Sequence, residues 1–152
     1  MKIELEPVAY VSAARKEATD DNWGDAVSVI TLADGFTEET LRGIEDYSHL
    51  EIVFYFDKAD PQNTNRSSRH PRGNKNWPLT GVFAHRGKDR PNHIGLTFVT
   101  LLKKEGRTLT VKGLDAIDGT PVLDIKPVMK EFLPSGALRQ PEWSKELMKN
   151  YW

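Results

Sequence analysis

The 152-residue chain contains no cysteine, which excludes a disulfide framework, a thiolate metal site and a cysteine nucleophile. No apolar run approaches the roughly 18 residues that a membrane helix needs. The opening MKIELEPVAYVSAARKE places Glu4, Glu6 and Pro7 where a secretory signal requires an uninterrupted apolar core. The Walker A, GxGxxG, HExxH and GxSxG patterns are all missing, so nucleotide, dinucleotide, zinc-protease and serine-hydrolase readings lack their local motifs. Four histidines, His49, His70, His85 and His93, form no i, i+4 pair on a helix; no metal site is expected, even though the last three can meet in space. A cytoplasmic protein with no membrane and no metal partner is the expectation.

What is present is one ordinary globular domain, with 38% hydrophobic and 28% charged residues. Its net charge of −1 hides an asymmetry. Between Lys58 and His93 eight cations (Lys58, Arg66, Arg69, Arg72, Lys75, Arg86, Lys88 and Arg90) face only Asp60 and Asp89, whereas the remainder carries 13 cations and 20 acids. A basic strip on an acidic protein suits a polyanion, and a solvated surface loop is the competing reading.

Short β-branched runs at Val8–Val11 and Ala26–Leu32 read as strands. Between them, Trp23 stands alone in polar surroundings, as either a lid over a site or a plug on the core. Thr37 with an acidic first turn reads as the start of a helix ending near Tyr47. Leu50–Phe56 is the most apolar run, which predicts a central strand buried on both faces or lying at a subunit interface. Ala59–Pro78 reads as a long structureless loop. Strands follow at Thr80–Arg86, Ile94–Lys103, Arg107–Leu114 and Pro121–Ile125, with hairpin turns at Glu105-Gly106 and Asp118-Gly119. In the tail, Trp143, Leu147, Met148 and Tyr151 make one apolar helical stripe. The expected fold is mainly β (α+β): a single, mostly antiparallel twisted sheet closed into a β-barrel-like structure with short helices. Residues 1–135 form the barrel domain, and 136–152 a helical extension packing on it or on a partner subunit.

Two segments carry the chemistry, Leu79–Leu96 (LTGVFAHRGKDRPNHIGL) and Gly113–Pro127 (GLDAIDGTPVLDIKP). The first sets cations between two apolar runs. Pro91 and Asn92 read as a structural turn, while Arg86 and Arg90 offer guanidinium forks for carboxylate or phosphate. Asp124 and Lys126 share the strand face opposite Ile125, as a salt-bridged shell or as direct contacts. Together the two segments resemble the paired signature of the TsaA-like, or TrmO-type, S-adenosylmethionine-dependent tRNA methyltransferases, in which the first motif commonly reads GVFATRSPFRPNPIGLS and the second LDxxDGTPVLDIKP. Gly43–Leu50 (GIEDYSHL) is similar to that family's GLExFSHL, and the resemblance spans roughly Pro7 to Val128.

The resemblance implies a dimeric β-barrel that binds S-adenosylmethionine without a Rossmann sheet and methylates N6 of threonylcarbamoyl-adenosine beside the tRNA anticodon. It further implies cofactor contacts from Arg86, Leu96 and the strand end Lys112, Gly113, Leu114 and Asp115. Asp57-Lys58 and, more loosely, Asn22, Trp23 and Gly24 align with other cofactor positions. Asp115 would take ribose or ammonium hydrogen bonds, with Leu114 packed on the adenine ring or simply in the core. The group accepting the acceptor's proton would be Asp115, Asp118, Asp57 or His85. Arg66, Arg69, Arg72, Lys75 and Arg90 would hold tRNA phosphates. The chain departs from the family motif at His85, Gly87, Asp89 and His93, and in the RSSRHPRGNKNWP insert. Two further readings therefore stand: a family methyltransferase acting on a small molecule or another RNA, and a non-catalytic module that binds S-adenosylmethionine or RNA.

Overall fold

Alternating apolar and polar side chains give each strand one face that must leave water. In the computed structural model, which describes residues 1–152, the strands are β1 (Ala9–Ala13), β2 (Val27–Leu32), β3 (His49–Tyr55), β4 (Ser68–Arg69), β5 (Thr80–Gly81), β6 (Ile94–Glu105), β7 (Thr108–Lys112) and β8 (Pro121–Pro127). One α-helix, α1, spans Glu142–Met148. Six strands close a barrel in the order β1-β2-β7-β6-β3-β8, with every neighbouring pair antiparallel. Inside it Val11, Ile30, Leu50, Ile52, Phe54, Val99, Leu109, Val111 and Val122 are each no more than 2% exposed. Burying each such side chain contributes about 1.5–3 kcal/mol.

Two features of the register position the site. β6 pairs with β3 all along Ile94–Thr100, but with β7 only from Thr100↔Lys112 onward. Its first residues therefore run past the end of β7 with one backbone edge open, while the chain leaves β7 through Gly113 at φ 85°. The second feature is a short closing seam, since β1 and β8 pair only at Ala9↔Val122 and Tyr10↔Pro121. The turn before β8 lengthens it: Val11 N–H donates to Thr120 O at 3.0 Å and Gly119 N–H to Val11 O at 2.8 Å.

Several sequence expectations are corrected. β3 is not buried on both faces: Leu50, Ile52 and Phe54 point inward while His49 and Tyr55 are exposed, because a barrel wall has one wet side. The helix expected from Thr37 is two 3-10 turns, Glu38–Leu41 and Ile44–Asp46, broken by Gly43 at φ 81°. The strand expected over Thr80–Arg86 ends at Gly81 and passes into a 3-10 turn at Val82–Ala84. Glu105-Gly106 does close the β6–β7 hairpin, but Asp118-Gly119 does not join paired strands, since β8 lies between β1 and β3. Nor is the Ala59–Pro78 connection structureless, for β4 pairs with β5 and 3-10 turns occupy Pro61–Asn63 and Pro71–Gly73.

The stripe on α1 is half-buried against this connection. Trp77 Nε1 donates to Glu146 Oε2 at 2.7 Å, and the Trp143 ring lies 6.4 Å from Trp77 and 5.9 Å from His85. No helix is long and apolar enough to cross a membrane.

At Gly95, a Cβ would fall 2.5 Å from the ring of Phe54. Gly95→Ala is expected to lower unfolding free energy by about 1–3 kcal/mol through overpacking, read from the midpoint of a urea transition.

Candidate cofactor cleft

The open edge of β6 leaves backbone groups facing outward, and buried or half-buried groups of this kind need partners. Arg86, from the loop after β5, donates through Nη2 to the Leu96 carbonyl at 2.6 Å. One residue on, Thr97 is buried with its side chain turned across the gap, where its Oγ1 donates to Asp115 Oδ1. Asp115 Oδ2 accepts from the Tyr151 hydroxyl. Burial, followed by the charge and hydrogen bond of Asp115, pushes the Tyr151 phenol far above its ordinary range, against the opposing pull of Arg86 and Arg72. It stays a neutral donor throughout the physiological range.

Behind these groups, Leu114 is fully buried in the barrel core. Lys112 turns outward, with Nζ 2.7 Å from Asp25 Oδ1. Trp23 is buried, its Nε1 bonded to Thr19 O at 3.2 Å and the Arg15 guanidinium 3.8 Å above its ring. The Asn22 and Trp23 N–H groups meet Asn150 O at 2.9 Å and Tyr151 O at 2.7 Å. Gly24 is the close-approach point, because a Cβ there would lie 2.6 Å from the Trp152 backbone. The structure thus brings Arg86, Leu96, Asp115 and Asn22–Gly24 together around Tyr151. Asp57 and Lys58 are exposed at the end of β3.

Two of the other proton-acceptor candidates, Asp118 and His85, have local partners. Asp118 Oδ1 accepts from Ala13 N–H at 3.0 Å, extending the seam. His85 Nε2 lies 2.6 Å from Thr80 Oγ1, beneath Trp143. His93 is buried at φ 51° with Nε2 2.7 Å from Thr64 Oγ1. Asp124 and Lys126 pair with each other on the outer wall.

Three of the eight cations of the basic strip are paired with acids. Arg72 Nη2 meets Asp21 Oδ1 at 2.8 Å, tying the insert to the β1–β2 connection. Arg69 Nη1 and Lys88 Nζ hold Asp89 at 3.1 and 2.8 Å, and Arg90 Nη1 donates to His85 O at 2.9 Å. Arg66 and Lys75 remain exposed, with no acidic partner. Sequence reasoning missed Thr97, Tyr151 and Arg15. Thr97 was detectable as a hydroxyl at an inward position of an alternating strand, whereas Tyr151 reads in sequence only as one more member of an apolar stripe.

The family described as tRNA-methyltransferase O N-terminal domain matches residues 19–132. The chain belongs to this family. A mouse tRNA (adenine(37)-N6)-methyltransferase is 45% identical over 95 residues, which are 62% of this chain and 22% of that protein. An S-adenosyl-L-methionine-binding protein from Archaeoglobus fulgidus is 35% identical over 131 residues, covering 84% and 90% of the two chains. A crystal structure of TrmO from Pseudomonas aeruginosa superposes with a TM-score of 0.76 at 29% identity, over 94% of this chain and 62% of that one. The chain therefore spans under a quarter of the mouse relative and less than two thirds of the TrmO structure. Arg86, Leu96, Thr97 and Asp115 lie inside the residues matched to the family; Tyr151 lies outside them.

Burial alone would raise the Asp89 carboxyl, but hydrogen bonds and charges from Lys88 and Arg69 outweigh it and hold the carboxyl below its ordinary value. Its contribution to stability is present above the unfolded carboxyl pKa of about 3.9 and is lost as pH falls through the lower folded value. Urea titrations should show Asp89→Asn less stable than the wild type at pH 7, with the gap narrowing below about pH 4.

Proposed function

We propose that the chain binds S-adenosylmethionine in the cleft and methylates N6 of an adenosine beside the anticodon of tRNA, with the threonylcarbamoylated base as acceptor. The observation carrying this is the meeting, at the open edge of β6, of the Arg86–Leu96 carbonyl contact with the Thr97–Asp115 pair. The mouse tRNA (adenine(37)-N6)-methyltransferase and the Archaeoglobus S-adenosyl-L-methionine-binding protein support the reaction class and the cofactor. Residues 1–135 supply the barrel and 136–152 the extension packed on it.

The donor set suits the cofactor. Asp115 accepts hydrogen bonds from a ribose hydroxyl or an ammonium, and its charge complements a sulfonium; Arg86 offers a guanidinium to a carboxylate. When bound, S-adenosylmethionine supplies a sulfonium methyl: the acceptor nitrogen forms the new C–N bond as the C–S bond breaks and its electron pair stays on sulfur. The residues orient the two reactants, which alone can remove a large part of the barrier. Both oxygens of Asp115 are engaged by hydroxyl donors, an arrangement suited to holding a ligand. We assign the nitrogen's proton to water. Arg66 and Lys75, with Lys58, are the cations left to meet RNA phosphates. The outward stripe of Tyr55, Ile94 and Phe98, at 40%, 38% and 50% exposure, fits a homodimer interface.

Self-pairing of Arg69, Arg72 and Lys88 favours a second reading, with a small molecule or another RNA as acceptor. Purified chain with radiolabelled S-adenosylmethionine should label tRNA from a strain lacking this gene. Label appearing only in small-molecule extracts would establish the second reading. Arg86→Ala should lower kcat/KM by about ten- to a hundredfold, the worth of a charge-assisted hydrogen bond.

A further inference from the structure

We infer that residues 142–152 form an internal strap occupying the hydrogen-bonding groups that the cofactor uses, so that binding requires release of Tyr151 from Asp115. The inference rests on the cofactor reading above and concerns the regulation of that same cleft.

The carboxylate assigned to the cofactor and two N–H groups of the adjoining connection are already engaged by the strap. The N–H groups of Asn22 and Trp23 are taken by the carbonyls of Asn150 and Tyr151, and Asp115 Oδ2 is taken by the Tyr151 hydroxyl. The other Asp115 oxygen is held by Thr97, a buried residue on a paired strand that cannot withdraw. An incoming hydroxyl or ammonium thus gains a full hydrogen bond to this carboxylate only by displacing Tyr151. The strap is seated closely, with its backbone against Gly24 where a side chain would collide. Its far end is pinned away from the cleft by the exposed Trp77–Glu146 hydrogen bond.

Exchange of one hydroxyl donor for another on the same carboxylate is nearly balanced in energy. The strap therefore sets a threshold and does not block the cleft outright: apparent affinity falls by the fraction of time the strap is closed. The segment lies outside the residues matched to the family, 19–132.

The test is calorimetric titration of S-adenosylmethionine into the full chain, into Tyr151→Phe and into Glu146→Ala, whose altered side chain lies at the remote anchor. The expected result is a Kd about tenfold lower for Tyr151→Phe and a shift in the same direction for Glu146→Ala. Amides of 143–152 in the wild type should exchange with deuterium faster when cofactor saturates. Binding with unchanged or weaker affinity in both variants, or slower exchange across 143–152, would overturn the strap while leaving the cofactor reading standing. No binding by any of the three proteins would overturn both.

Discussion

The register between β6 and β7 is the constraint on which the cleft depends. Had β7 continued to pair with β6 beyond Thr100↔Lys112, the backbone groups of Ile94–Val99 would be consumed by a sheet ladder. Because β7 ends there, and Gly113 carries the chain away with a dihedral that glycine adopts without penalty, the same groups face a gap. Arg86 and the Thr97–Asp115 pair fill it. The site is thus made by a strand that stops early, and the hydrophobic interior beneath is undisturbed, with Leu114 anchoring the departing chain in the core.

Electrostatics divides the loops around this gap into fixed and free parts. The pairings of Arg72 with Asp21 and of Asp89 with Arg69 and Lys88 staple the insert to its neighbours. Half-buried ion pairs of this kind contribute modestly to stability, and their main effect is on geometry. They hold the loop that carries Arg86 beside the insert.

Much of the barrel was legible because its signals are local. Alternation in AVSVITL and the Glu105-Gly106 turn each fix an element from its own residues. The Thr37–Tyr47 helix failed because Gly43 interrupts a short segment that has no long apolar stripe to reward helix formation. The Leu50–Phe56 run misled for a different reason. Val53 and Tyr55 are apolar on the outer wall, and composition does not report which side of a wall a residue occupies. In the cleft, Arg86, Leu96 and Asp115 were legible through motif resemblance. Tyr151 was not, since its role arises from a contact with a residue 36 positions away, which no periodicity encodes. The basic strip shows the same limit: summed charge was readable, but the pairing of Arg72 with Asp21 depends on how two connections fold back on each other.

The short seam between β1 and β8 has a mechanical consequence. Asp118 lengthens it by accepting from Ala13 N–H, and Asp115 stands three residues earlier in the same connection, with Ala116 buried between them. One end of this connection is fastened to the barrel's weakest joint and the other to the cleft. Local opening in proteins is favoured where few backbone pairs must be broken, and in this ring the β1–β8 seam has the fewest paired residues. The connection is a tie-rod, joining that seam at Asp118 to the carboxylate of Asp115.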